Sequence, residues 1–335
     1  LGIRVLIIDD SATMRALLAA RLSGHDGISV VGMAGSAAQA RGMIKELEPD
    51  VVTLDIEMPG MNGLDFLDKI MTLRPMPVVI VSGQTQHGSD ATARALALGA
   101  VDCYCKTGPT MDFDDKGALA RMVRDAARVR LRHKAAPAPI APLRKATRGN
   151  DVRLIAIGSS TGGVEALQVL LGSFPEDCPP AMIVQHVDSR FAPAIARTLD
   201  AACPAHVVLA QPDMPLQRGH VYLAPGDDRH MMVTATRNLF IRLRSGAPVS
   251  GHRPSVDALF HSVAQNVGTD AVGILLTGMG ADGAKGLLSM ARAGAHTIAQ
   301  DEATCTVFGM PRVAISLGAA NVVAPLDRIA DLALA

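Results

Sequence analysis

Residues 155–167 read "IAIGSSTGGVEAL", and this stretch decides the architecture of the second half of the chain. The preceding "RLIAI" is a buried-strand pattern, and "GVEALQVLLGSF" places apolar residues at 164, 167, 170 and 171, the spacing of one helical face. Strand, tight turn and helix follow one another. Three readings of the turn compete. A phosphate cradle needs G-x-G-x-x-G or a lysine after its last glycine, and "GSSTGG" supplies neither, although amides at a helix start still attract an anion. A helix cap needs only the hydroxyl of Ser160 or Thr161. In the third reading Gly158-x-Ser160-x-Gly162 is the G-x-S-x-G elbow, which lifts a serine Oγ off a strand end while nearby amides point at a developing oxyanion.

The elbow requires a base and an orienting acid, which are far apart in sequence in many triads because geometry alone defines them. "AMIVQHV" runs apolar from 181 and ends at His186, and the run from 271 in "DAVGILLTGMGADGAKG" delivers Asp282 in a glycine-rich turn. Ser160, His186 and Asp282 meet along one sheet edge if their strands are neighbours. The rival base is His230 in "HVYLAPGDDRHM". His206, His220, His252, His261 and His296 follow no metal-ligand spacing, which assigns them surface or core roles. The order Ser, His, Asp differs from that of α/β-hydrolases, so a Rossmann-like scaffold carrying an independent triad is the better fit.

Outward from this stretch, 335 residues predict two domains, each large enough to bury a core. No apolar run approaches the roughly 20 residues that span a bilayer, and "VLIIDD" meets carboxylates too early for a signal peptide, so a cytoplasmic protein without membrane insertion is expected. Five cysteines lacking any CxxC pair suggest neither a disulfide framework nor a zinc site. Lys and Arg total 32 against 32 Asp and Glu, which removes the global attraction a nucleic-acid binder exploits. The local basic excess between Arg121 and Arg148 ends in "KAAPAPIAPLRKATRGND", a Pro/Ala linker. The expected division is residues 1–133, a linker over 134–150, and 151–335.

The first half alternates short apolar runs with amphipathic stretches: "RVLII", helix 12–23, "ISVVGMA", helix 37–47, "VVTLD", helix 64–73, "PVVIVS", helix 89–98, "VDCYC", and a helix over about 117–133. Five β/α units predict a doubly wound parallel sheet, with chemistry beyond the carboxyl ends of its strands. There stand Asp9, Asp10, Asp55, Ser82 and Lys106. Three converging carboxylates repel unless a cation neutralises them, and oxygen ligands without Cys or His favour Mg²⁺. Asp55 is then placed to attack a phosphoryl group, with Lys106 stabilising the transferred charge.

Residues 3–106, with "DD", "LDIEMPGMNGLDFL", "VVIVSG" and a lysine in order, resemble a response-regulator receiver domain. The resemblance implies a flavodoxin-like α/β fold, Asp55 as phosphoacceptor, Asp10, Asp55 and the Glu57 carbonyl as Mg²⁺ ligands beside Asp9, Ser82 as switch hydroxyl and Lys106 on the phosphoryl group. Family members usually place an aromatic three residues before the lysine and a proline after it; here Cys103 and Thr107 stand there, with Tyr104 displaced by one. Further on, "IAIGSSTGGVEAL", "VQHV", "VYLAPGDDRHM", "GHRPSVDALF", "LLTGMGADGAKGL" and "AQDEATCTVFGMP" occur in the order found in chemotaxis protein-glutamate methylesterases, the CheB family. That likeness implies Ser160 as nucleophile, His186 as general base and Asp282 as its orienting carboxylate. Thr161 adjoins the nucleophile, and the Met279 amide serves the oxyanion. The implied substrates are glutamyl γ-methyl esters on methylated chemoreceptors, in some members also glutamines that are deamidated. The implied phosphodonor is a histidine kinase, and the catalytic half is expected to need no cofactor. Ser159 stands where alanine is common in the family, so it competes with Ser160 for the nucleophile's role.

Two other function classes compete with this one. A DNA-binding response regulator needs a basic recognition helix, which residues 151–335 lack. A receiver-controlled binding module with a non-catalytic Rossmann-like output domain remains the alternative, and reaction with a serine-directed fluorophosphonate separates it from an esterase.

Overall fold

The computed structural model describes residues 2–58, 62–83, 86–106, 117–129 and 152–335. The chain divides into two compact units, Leu1–Ala135 and Ala136–Ala335.

In the first unit the five apolar runs become β1 (Ile3–Ile8), β2 (Ile28–Ala34), β3 (Val51–Asp55), β4 (Val78–Ser82) and β5 (Asp102–Cys105). Their order, β2-β1-β3-β4-β5, is parallel throughout. β3 and β4 are buried along their whole length, which is why they read as continuous β-branched runs rather than as alternating ones. Between strands run α1 (Ala12–Ser23), α2 (Ala37–Leu47), α3 (Gly63–Leu73) and α4 (Gln86–Ala97), with α5 (Ala118–Ala126) last. Side chains start three of them: Ser11 Oγ accepts from the Met14 amide, Ser36 Oγ from the Gln39 amide and Asn62 Oδ1 from the Leu64 amide. The helix expected over about 117–133 is shorter, ending at Ala126. The linker expected over 134–150 lies outside the described residues.

The second unit is built on a seven-stranded sheet, parallel throughout. β6 (Leu154–Ser159) sits centrally, between β7 (Ala181–Gln185) and β12 (Ala271–Leu275). Beyond β7 lie β9 (His220–Leu223) and the edge strand β8 (His206–Leu209); beyond β12 lie β13 (His296–Gln300) and β14 (Val322–Ala324). Helices α6 (Gly163–Leu171), α7 (Ala192–Asp200), α8 (Val256–Asn266), α9 (Ala284–Arg292) and α10 (Met310–Ser316) lie on the connections between strands, and α11 (Leu326–Leu334) follows the last strand. Both units are thus doubly wound α/β sheets. One addition was not expected: β10 (Arg229–Ala235) and β11 (Leu239–Ser245) form a separate antiparallel hairpin. It places Met231, Val233, Leu239 and Ile241 in one core with Leu259, Phe260 and Val263 of α8, and the Val233 amide donates to Ser262 Oγ at 2.9 Å.

Two glycines set where α8 begins. A Cβ on Gly158 would lie 2.2 Å from Val256 Cγ1, and one on Gly283, whose φ is +89°, would lie 2.6 Å from the same atom. Only without those side chains can the first turn of α8 seat itself above the carboxyl ends of β6 and β12.

Candidate active site

Chain direction in a parallel sheet delivers the residue after each strand to one edge, and here three neighbouring strands deliver Ser160, His186 and the loop carrying Asp282. Ser160 follows β6 directly. Its amide donates to the Thr277 carbonyl at 3.0 Å, its carbonyl accepts from Gly163 at 2.7 Å, and Gly162 turns the chain into α6 with φ +74°. No side chain caps α6, whose N-cap is Gly162, so neither Ser160 nor Thr161 performs that task. Ser159 and Ser160 differ sharply. Ser159 is fully buried and gives its hydroxyl proton to Gln185 Oε1 at 2.6 Å, whereas Ser160 is partly exposed. Gln185 Nε2 in turn donates to the carbonyls of Ser160 and His186, bracing both backbones. Among the described residues no carbonyl accepts from the Thr161 or Met279 amide.

His186 Nε2 and Asp282 Oδ2 are 2.8 Å apart, and the Asp282 side chain is wholly buried. A lone carboxylate there would be costly, and the start of α8 supplies the compensation. The Val256 amide donates to Oδ2 at 2.8 Å, and the Asp257 amide and Ser255 Oγ donate to Oδ1 at 3.0 and 2.7 Å. Burial pushes the Asp282 carboxyl up, but the bonds from His186, the Asp257 amide and Ser255 outweigh it and leave the group below the ordinary aspartate range. With Nε2 engaged, His186 Nδ1 is the nitrogen left to accept a proton; it is buried and makes no hydrogen bond, to Ser160 Oγ or otherwise, among the described residues.

In the first unit a single lysine bridges two carboxylates. Lys106 Nζ stands 2.9 Å from Asp9 Oδ2 and 2.7 Å from Asp55 Oδ2, with both aspartates buried and Asp10 exposed beside them. Burial opposes the ammonium, but the two carboxylates prevail and hold Lys106 above its ordinary value. Oxygens of Asp9, Asp10 and Asp55 lie within 4.8 Å of one another. Ser82, fully buried, ends β4, and its carbonyl accepts from the Lys106 amide at 2.7 Å. Glu57 is exposed, its amide bonded to Asp55 Oδ1 at 3.1 Å. Tyr104, by contrast, accepts a hydrogen bond from the Arg21 guanidinium of α1. Neighbouring residues on a strand face opposite ways, so the displaced tyrosine does not take the place of Cys103.

Comparison with known proteins matches residues 155–333 to the CheB methylesterase family and residues 5–114 to the response regulator receiver domain. A protein-glutamate methylesterase/protein-glutamine glutaminase of Caulobacter vibrioides is 55% identical over 321 residues, covering 95% of this chain and 93% of that one. The chain belongs to the CheB methylesterase family. A Rhizobium etli relative of the same name is 51% identical over 98% of this chain and 94% of its own. The crystal structure of the Thermotoga maritima CheB methylesterase catalytic domain superposes with a TM-score of 0.53 at 33% identity, covering 54% of this chain and 97% of that one.

Within this CheB chain, two sequence expectations change. His230 is buried with both ring nitrogens occupied, Nδ1 accepting from the Ser255 amide at 3.2 Å and Nε2 donating to the Ala247 carbonyl at 3.0 Å, so it braces the approach to α8. His252, expected at the surface or in the core, instead stacks on His186 with ring centroids 3.8 Å apart and planes 6° from parallel. Ser255, Asp257 and the start of α8 were also not anticipated as parts of the site. "RPSVD" carries a serine N-cap signal, but nothing local tells which distant carboxylate shares that helix start.

Proposed function

We propose that this chain hydrolyses glutamyl γ-methyl esters on chemoreceptors under receiver control, with Ser160 as nucleophile, His186 as general base and Asp282 as the orienting carboxylate. The His186–Asp282 pair beside a partly exposed serine on a strand-to-helix elbow is the observation that carries this reading. His186 takes the Ser160 proton as Oγ attacks the ester carbonyl, and Asp282 holds the imidazole orientation and the resulting cation. The Thr161 and Met279 amides, which no protein carbonyl claims among the described residues, are available to the oxyanion. Methanol leaves with the proton from His186, and water hydrolyses the acyl-enzyme by the same route reversed. A glutamine side chain presents the same carbonyl with ammonia as leaving group, so deamidation needs no further residue. The burial of Ser159 and its bond to Gln185 support Ser160 over its neighbour.

The receiver reading is that Asp55 accepts a phosphoryl group from a histidine kinase, Lys106 contacts it and Ser82 responds to it. Asp9, Asp10, Asp55 and the Glu57 carbonyl would hold Mg²⁺, a hard-oxygen set that fits that ion and would neutralise charge on the incoming phosphoryl group. The working division remains a receiver over 1–133, a linker over 134–150 and a catalytic domain over 151–335. Among the described residues no helix is long and apolar enough to cross a membrane.

A fluorophosphonate probe and methanol release from methylated receptor test the assignment together. Ser160→Ala loses both labelling and turnover while remaining folded. A Ser160→Ala protein that is still labelled and active would overturn it.

A further inference from the structure

We propose that His252 is a positioning residue for the reaction: its ring, laid flat on His186, fixes the plane of the base and stabilises it once it carries the proton. The proposal rests on the reading of His186 as general base. A ring held only by one edge, through Nε2 to Asp282, remains free to pivot about that contact. The second constraint must come from the ring's face, and the parallel stack at 3.8 Å supplies it.

The chain builds a dedicated support for this second ring. Val249 and His252 exchange two backbone hydrogen bonds of 3.0 Å, and the two residues between them, Ser250 and Gly251, have φ of +52° and +83°. This is a two-residue turn with both central residues left-handed, the tightest common reversal. Its geometry tolerates glycine at 251 freely and costs something at Ser250. The serine's hydroxyl offsets that cost by donating to Asp257 Oδ2 at 2.7 Å. Asp257 is buried, its other oxygen accepts from the Gly286 amide at 2.6 Å, and its own amide donates to Asp282. One residue therefore references both restraints on His186: the carboxylate at its edge and the hairpin carrying the ring on its face.

The stack also has a charge consequence. Burial first, and then the neighbouring His186, hold His252 below the ordinary histidine range, against a smaller opposite pull from Asp282. His252 is thus the neutral member when His186 takes the serine's proton, and it presents a π face to the new cation. Among the described residues no hydrogen bond engages its ring nitrogens.

The test compares His252→Ala, His252→Phe, Ser250→Ala and His186→Gln in the full chain, with methanol release from methylated receptor and thermal melts. In His252→Ala, kcat should fall about tenfold to thirtyfold with KM changed less than about twofold, the loss of one face-on contact to a cation. His252→Phe, which keeps the flat face, should restore most of kcat. Ser250→Ala, which frees the hairpin without touching the ring, should lose in the same direction but less, and it serves if His252→Ala does not fold. Wild-type kcat in folded His252→Ala, or His252→Ala and His252→Phe equally inactive while folded, would overturn the stacking role. An active His186→Gln would instead remove the base reading on which the proposal stands.

Discussion

Replacing Ser159 by alanine should cost stability rather than chemistry. Gln185 Oε1 would keep its buried position without the 2.6 Å donor it now has, a loss of about 1–3 kcal/mol, while turnover stays within about threefold of wild type. Thermal melts and methanol release on the same preparation check it, and a catalytically dead but fully stable Ser159→Ala would move the nucleophile by one residue. The two adjacent serines show what was readable in the sequence at this scale. Glycines at 158 and 162 marked an elbow, and a central strand's alternation left open which hydroxyl it turned outward, since that depends on partners elsewhere. That Ser160, His186 and Asp282 gather at one sheet edge was legible because each lies beyond an apolar run that becomes a neighbouring strand, directly after β6 and β7 and in the loop after β12. His252 was not legible, because it closes a tight turn in the polar stretch between β11 and α8, and its significance comes only from the ring it touches.

The first turn of α8 is the element that holds Asp282 against His186, and the stability of the fold should register the charge state of Asp282. Because this carboxyl titrates below its ordinary value of 3.8 in the folded protein, its contribution is complete above that value and lost as pH falls through the lower folded one. Asp282→Asn should lower the stability of the catalytic unit at neutral pH by about 2–4 kcal/mol, by returning amide hydrogens to face the donors of Val256, Asp257 and Ser255. It should also flatten the acid limb of stability below about pH 4 relative to wild type. Urea titrations from pH 7 down to about pH 3 measure both, and an acid limb unchanged by the substitution would remove Asp282 as its source. Most elements were visible beforehand: α1, α2 and β3 coincide with the apolar periodicities from which they were expected. The β10–β11 hairpin escaped because its turn, "ATRNLF", lacks the Asn-Gly or Asp-Gly signal and its second strand carries exposed arginines.

At the scale of the whole chain, the proposed roles assign control and chemistry to different groups, and removal of metal should separate them. A chelator should abolish activation by a small phosphodonor while leaving basal hydrolysis by the full chain unchanged, and a fragment of residues 147–335 should be indifferent to both reagents. Turnover by that fragment that vanishes with chelator would contradict the serine mechanism. Length and periodicity foretold two α/β units, since each half carries its own run of strand and helix periods. It could not foretell that the second sheet closes around its first strand. β6 pairs on one side with β7, about twenty residues later, and on the other with β12, more than a hundred residues later. During synthesis on the ribosome β6, buried from end to end in the finished sheet, must therefore wait with one edge of unpaired backbone N–H and C=O groups until residues 271–275 emerge. A product that stops short of residue 271 should then be an open template for aggregation rather than a smaller enzyme, and the nascent chain should depend most on chaperone protection over that interval.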